Sequence, residues 1–162
     1  MSNAHPKKPK FSKGYLLNPD QGVPGHDSDV KASRLSTMGA LSAIATEAIS
    51  GAPLHVHTRE DEYFYVESGT LIIHCGEDVF RAGPGSFVFL PRQVPHSWDV
   101  FGGGIARILM MTVPAMLEEF LREFHAPSVV ARDKIAAKFG ITFLPEAPLK
   151  ISREVKNNLS AG

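Results

Sequence analysis

The sequence lacks the features that mark most secreted, membrane-bound and nucleic-acid-binding proteins. Its 162 residues include one cysteine, Cys75, which cannot form an internal disulfide and suits a reducing compartment. No apolar run approaches the length of a membrane span, and the opening residues contain no secretory signal. The 17 basic and 17 acidic residues balance, so no long-range field attracts phosphate groups. We therefore expect a cytoplasmic protein that binds neither nucleic acid nor a membrane.

Turn-forming and apolar segments divide the chain into three parts. Residues 1–33 are rich in proline, glycine, aspartate and lysine without a hydrophobic period, which predicts a flexible N-terminal arm. Residues 34–113 contain short apolar or alternating runs separated by turn sequences such as Gly83-Pro84-Gly85. This spacing predicts a single all-β domain, either a sandwich or a barrel.

In residues 114–162 the apolar residues follow a helical period. This pattern predicts a C-terminal helical extension packed on the barrel. The first helix follows Pro114 and carries its apolar residues on one stripe, with charged residues such as Glu118 elsewhere. The second helix begins near Ser128 or Asp133 and is closed by Gly140. We interpret both stripes as core contacts.

The sequence His55-Val56-His57, followed by Glu62, is the feature that carries chemistry. Side chains alternate along a strand, so both histidines point to the same face. A short turn would bring Glu62, at the start of the next strand, beside them. Two imidazoles and a carboxylate are costly to bury unless a cation binds them. His96, which follows a proline-bounded turn and begins another strand, supplies a fourth ligand.

These residues resemble the first of the two sequence motifs of the cupins, G-x5-H-x-H-x3-4-E-x6-G. Gly51 lies two positions nearer the first histidine than the motif requires. The shorter spacing that the motif allows would make Asp61 the carboxylate ligand, but Glu62 is preferred because the six residues after it end on a glycine. The match comprises His55, His57, Glu62 and Gly69.

The second cupin motif, G-x5-P-x-G-x2-H-x3-N, is matched in part. Gly85, Pro91 and His96 occupy the expected positions, but Gln93 replaces the usual glycine and Val100 the usual asparagine. The resemblance covers about residues 51–100 and is nearest to small quercetin-dioxygenase-like cupins. It implies a single jelly-roll barrel, also called a double-stranded β-helix, to which the predicted arm and the two helices are added.

Three imidazoles and one carboxylate suit one divalent transition metal, which could be Fe, Mn, Ni, Co, Cu or Zn. By strand parity, an apolar substrate pocket beside it should be lined by Phe64, Val66, Trp98 and Val100. Such a pocket favours an aromatic or enolic small molecule. We therefore predict a metal-dependent dioxygenase that resembles flavonol-cleaving cupins, with Glu62 as the catalytic residue that accepts the substrate proton.

Two other functions fit the same residues. The protein could bind a small molecule in a metal-dependent way without catalysis, or it could be an isomerase or lyase that uses the metal only as a Lewis acid. The resemblance further implies a homodimer, because cupins commonly pair through their sheets and exchange N-terminal strands.

Overall fold

The structure is a computed structural model that describes residues 14–124 and 128–145. Its strands form two five-stranded antiparallel sheets, a first sheet in the order β1-β2-β9-β4-β7 and a second sheet in the order β10-β3-β8-β5-β6. The elements are β1 Val30–Ala32, β2 Ser42–Ala48, β3 Ala52–His57, β4 Asp61–Ser68, β5 Leu71–Cys75, β6 Asp78–Ala82, β7 Phe87–Leu90, β8 His96–Val100, a 3₁₀ turn Phe101–Gly103, β9 Ala106–Val113, α1 Leu117–Glu123, α2 Val129–Lys138 and β10 Ile141–Phe143.

The core lies between the facing surfaces of the two sheets. Phe64 of the first sheet packs edge-on against Trp98 of the second, with ring centroids 5.4 Å apart. In both β4 and β8 every second residue is buried, which is the period-two pattern of a strand with one face in the core. No ladder joins the two sheets within the described residues. The predicted all-β jelly roll is therefore confirmed, as an open sandwich rather than a closed barrel.

The two predicted C-terminal helices are present. In α2, Ser128 caps the N-terminus, where its hydroxyl accepts a hydrogen bond of 3.2 Å from the backbone N–H of Ala131. Gly140, just past the helix, has φ +78°, a conformation that glycine adopts without strain. No helix in the described part of the chain is long and apolar enough to cross a membrane.

Glu118 departs from the prediction that the charged residues of α1 lie away from the core. Its side chain is 3% exposed and accepts hydrogen bonds from the backbone N–H of Arg34 and the hydroxyl of Ser42. Two donors offset the cost of burying a carboxylate. Glu118 therefore ties α1 to the first sheet.

Two short strands lie outside the range predicted for the barrel. β1 falls within the predicted arm and pairs with β2, while β10 falls within the predicted helical extension and pairs with β3. Each adds an outermost strand to one sheet. The bounds 1–33, 34–113 and 114–162 stay predictions, but chain segments on both sides of the central range contribute strands to the sandwich.

Candidate metal centre

Two adjacent strands of the second sheet and one strand of the first sheet bring the predicted ligands together. His55 of β3 lies directly opposite His96 of β8 in the second sheet, and His57 follows two residues later on the same face. Glu62 of β4 reaches them from the first sheet. One donor atom from each of these four residues lies within 4.8 Å of the other three. Ligands on opposite sides of one ion at about 2.1 Å are roughly 4.2 Å apart, so the group has the dimensions of a metal site.

Close backbone packing requires a glycine at position 51. A Cβ atom at Gly51 would lie 1.7 Å from the carbonyl oxygen of Trp98. Only glycine fits there, because β3 and β8 approach each other with an irregular register between Ala52 and His55. The glycine thus permits the strand contact that places the histidines, although it stands nearer to them than the motif requires.

Gln93 adopts a backbone conformation that favours glycine. Its φ is +66°, in the left-handed region that glycine adopts freely and other residues adopt at a cost. In this conformation its N–H donates a hydrogen bond of 2.7 Å to the carbonyl of His57. The turn before His96 is therefore fastened to the end of β3 despite the substitution.

Each of the three imidazoles has a hydrogen-bond acceptor at its Nδ1 atom. The Nδ1 atoms of His55 and His96 lie 2.7 Å and 2.9 Å from the carbonyl oxygens two residues earlier, and that of His57 lies 3.0 Å from Glu60 Oε1. A carbonyl oxygen only accepts, so the Nδ1 atoms of His55 and His96 must donate, and Nδ1 of His57 donates in the same way to an ionised Glu60. The Nε2 atoms consequently carry the lone pairs that can bind a metal.

The centre of the group holds an electrostatic conflict. Glu62 Oε2 and His96 Nε2 are 3.3 Å apart, both are buried, and neither has a hydrogen bond of acceptable geometry. Two atoms that each present a lone pair repel at this distance. A cation bound between them, which would also bind the other two imidazoles, removes the repulsion, and so the donor set fits a metal.

The pKa shifts of His55 and Glu62 favour metal binding, because each keeps the group in the form that binds a metal. Burial, followed by the neighbouring His96, lowers the pKa of His55 to about 4, so its imidazole is neutral near neutral pH. Burial raises the pKa of Glu62, but the adjacent His96 and the other two histidines lower it overall, so its carboxylate is ionised. Burial lowers the pKa of His57, but its bond to Glu60 and the two nearby carboxylates raise it overall.

Comparison with known proteins agrees with this geometry. No curated protein matches the chain, but the family model described as Cupin domain matches residues 45–112. The chain is therefore similar to a cupin domain over these residues. The matched range includes β3, β4 and β8, which carry all four candidate ligands.

Solved structures with similar folds include several cupins. The Cnp3 cupin domain of Schizosaccharomyces pombe is 18% identical with a TM-score of 0.44, and the match covers 51% of this chain and 62% of that chain, less than two thirds of it. An RmlC-like cupin from Shewanella frigidimarina is 20% identical, with a TM-score of 0.45 and coverages of 51% and 72%. A protein with a double-stranded β-helix domain from Klebsiella pneumoniae is 15% identical, with a TM-score of 0.49 and coverages of 64% and 92%.

Glu60, in the charged turn after His57, also belongs to the site, although it is not one of the four predicted ligands. Glu60 is 1% exposed, and its Oε1 lies 3.0 Å from His57 Nδ1. Burial, more than any other influence, raises its pKa, while the bonded His57 and the Thr112 hydroxyl beside it act in the opposite direction. Its position three residues after His57 was the available signal, because a turn can fold back over that distance.

Asp61, the alternative ligand, faces away from the histidines. Both of its carboxylate oxygens bind Arg92, at 2.7 Å and 3.0 Å from the guanidinium nitrogens. The hydrogen bonds from Arg92 hold the pKa of Asp61 near 2. The group of converging donors contains Glu62 and not Asp61.

The four residues predicted to line a substrate pocket lie in the interior of the sandwich. Phe64 and Val66 have no exposed surface, while Trp98 and Val100 are 9% and 8% exposed. All four belong to the hydrophobic core between the sheets. Phe143 of β10 packs against His55 at a ring centroid distance of 6.1 Å.

Proposed function

We propose that the cupin domain binds one divalent transition metal through His55, His57, Glu62 and His96 and is a metal-dependent dioxygenase of a small aromatic or enolic molecule. The observation that carries the proposal is the convergence of one donor atom from each of three imidazoles and one carboxylate at a buried point. A site with four protein ligands leaves two positions free on an octahedral ion. Free positions are required for an oxygenase, whereas a tetrahedral ion would be saturated.

A metal at this site would supply a Lewis acid that holds a substrate oxygen and dioxygen side by side. The protein's own residues contribute orientation and proton transfer. The carbonyl and carboxylate acceptors at the three Nδ1 atoms fix the imidazole rings. Glu62 Oε2, which has no hydrogen-bond donor of acceptable geometry, can accept the proton of an enol or phenol. The surrounding apolar residues exclude water.

Oxygen consumption tests this proposal directly. Protein loaded separately with each candidate metal is mixed with flavonols, catechols and enolic diketones, and dioxygen uptake and product formation are followed. We expect uptake with at least one metal and substrate, and its loss in Glu62→Gln but not in Asp61→Asn, which changes the neighbouring carboxylate. No uptake by any metal form with any of these compounds would contradict the dioxygenase.

Non-catalytic, metal-dependent ligand binding is the second candidate, and the burial of the site favours it. The four ligands are between 0% and 5% exposed, and the predicted pocket residues fill the core rather than an open cleft. A ligand as large as a flavonol would have to displace core side chains, which carries the cost of disrupting close packing. Calorimetric binding of a small acid or enol without oxygen uptake would support this candidate, whereas its anaerobic conversion would indicate the isomerase or lyase.

A further inference from the structure

A buried hydroxyl lies at the end of β9, on the inner face of the first sheet. The inward residues of this strand are Ala106, Ile108, Met110 and Thr112, of which only the last is polar. Thr112 has no exposed surface. A valine has nearly the same shape and avoids the cost of burying a hydroxyl, so packing alone does not account for a threonine at this position.

Strand pairing places this hydroxyl next to a candidate metal ligand. Thr112 lies directly opposite Glu62 of β4 on one side and directly opposite Ser42 of β2 on the other. All three side chains are buried, and side chains directly opposite each other in a sheet have Cβ atoms about 5 Å apart. The three residues therefore form a row of polar side chains that leads along the inner face to the metal centre.

The Thr112 hydroxyl and one oxygen of Glu60 each need a partner. Thr112 Oγ1 and Glu60 Oε2 are both buried, and neither has a hydrogen bond of acceptable geometry to a described residue. The other carboxylate oxygen, Glu60 Oε1, lies 3.0 Å from Nδ1 of His57. Unpaired polar atoms in a protein interior are costly. A hydroxyl that rotates to donate to the free carboxylate oxygen satisfies both atoms.

The surroundings favour Glu60 as the acceptor for this hydroxyl. Ser42, the polar neighbour on β2, donates its own hydroxyl to a glutamate of α1, and Glu62 belongs to the group of converging metal-binding atoms. Burial raises the pKa of Glu60, whereas His57 and then the Thr112 hydroxyl lower it. A neighbour that lowers the pKa of a carboxyl group stabilises its ionised form, as the donor of a hydrogen bond does.

We propose that Thr112 is a positioning residue of the metal centre, whose hydroxyl donates to Glu60 Oε2 while Glu60 Oε1 holds the imidazole of His57. The inference rests on the metal binding proposed for this site. A carboxylate that is bonded at both oxygens cannot rotate away from Nδ1, so the ring of His57 keeps its Nε2 atom available to the metal. Partners outside the ligand set orient ligating histidines and raise their basicity in this way.

The metal affinity of Thr112 variants of the full chain tests the inference, by chelator competition for Zn²⁺ and Co²⁺. A site of this kind binds these ions at least as tightly as Mn²⁺ or Fe²⁺. Thr112→Val keeps the shape and removes the donor, so it should bind both ions about fivefold to tenfold more weakly, as expected for one lost hydrogen bond. Thr112→Ser retains the hydroxyl and should restore the wild-type affinity.

Two further measurements separate positioning from a general effect on packing, in variants that unfold cooperatively in urea. In a Glu60→Ala background the acceptor is absent, so Thr112→Val should change the affinity by less than about twofold. In the zinc-loaded protein, NMR measures exchange of the His57 Nδ1 proton with water. This exchange should be faster in Thr112→Val and unchanged in Thr112→Ser, whereas a loss of packing alone would lower stability and leave the proton protected.

Ser42→Ala is the matched control, because it removes the neighbouring buried hydroxyl, which bonds to Glu118, and it should retain the metal affinity. Equal affinities of Thr112→Val and the wild type would overturn the role of Thr112 and leave the metal site in place. So would an undiminished loss in the Glu60→Ala background, or a loss in Ser42→Ala as large as that in Thr112→Val. A wild type that binds neither ion would overturn the metal site and the inference together.

Discussion

Replacement of Glu60 by glutamine probes how much the buried acid contributes to metal binding. Glu60 and His57 are 1% and 2% exposed, and their side chains are 3.0 Å apart. Glutamine has nearly the same shape and can still accept a hydrogen bond from His57 Nδ1. The substitution therefore removes the negative charge while the imidazole keeps an acceptor.

The expected effect is a tenfold to hundredfold loss of metal affinity. Hydrogen bonds to charged groups contribute about 1.5–3 kcal/mol, and about 1.4 kcal/mol corresponds to a factor of ten in affinity. Substitutions of residues that hold a metal-binding histidine reduce affinity by about the same range. Because His57 remains in place, the stoichiometry should stay at one ion per chain.

Competition with a chelator of known affinity, monitored for Zn²⁺ and Co²⁺, measures this change. The control is Glu118→Gln, which alters another buried glutamate that contacts Arg34 and Ser42 and none of the four candidate ligands. That variant should lose stability and retain affinity for both metals. Equal affinities of Glu60→Gln and the wild type would refute the view that the charge of Glu60 supports the site through His57.

Three further predictions concern the choice of the carboxylate ligand, the pH dependence of metal affinity and the turn before His96. Glu62→Ala should abolish metal binding, whereas Asp61→Asn should retain it, and retention of metal by Glu62→Ala would contradict the assignment. Asp61→Asn loses a partly exposed ion pair with Arg92, so it should destabilise the fold by no more than about 1 kcal/mol in urea unfolding. Metal affinity measured between pH 8 and pH 5 should fall as the pH falls through the raised pKa of His57, since protons then compete for its Nε2 atom, and a pH-independent affinity would count against His57 as a ligand. Gln93→Val should be about 1 kcal/mol less stable than Gln93→Gly in the same unfolding assay, because a β-branched residue is strained at φ +66°; equal stability would show that the turn relaxes.

Strand periodicity accounts for the parts of the site that could be predicted from the sequence. His55 and His57 are separated by one residue, so they share a face of their strand. By the same alternation, every second residue counted from Glu62 in β4 and from His96 in β8 points to the interior. These positions agree with the structure because both faces of a strand are fixed once one residue is known to be buried.

Contacts between distant segments account for the parts that could not be predicted. Glu60 lies in a turn and Glu118 in a helix, where charged side chains are usually exposed. Only their contacts in the folded chain show that both are buried. The strands β1 and β10 have three residues each, too few to show a period. They are stabilised by ladders to β2 and β3, and such pairing is not encoded in local sequence.

The metal content of the protein tests the central claim most directly. The wild type and a His55→Ala/His96→Ala variant are dialysed against each candidate divalent metal, freed of excess ion and analysed for elements, after both are shown to be folded by cooperative urea unfolding. We expect one ion per chain in the wild type for at least one metal, and none in the variant. A wild type that retains no metal, or a variant that retains one ion per chain, would contradict the assignment of the site.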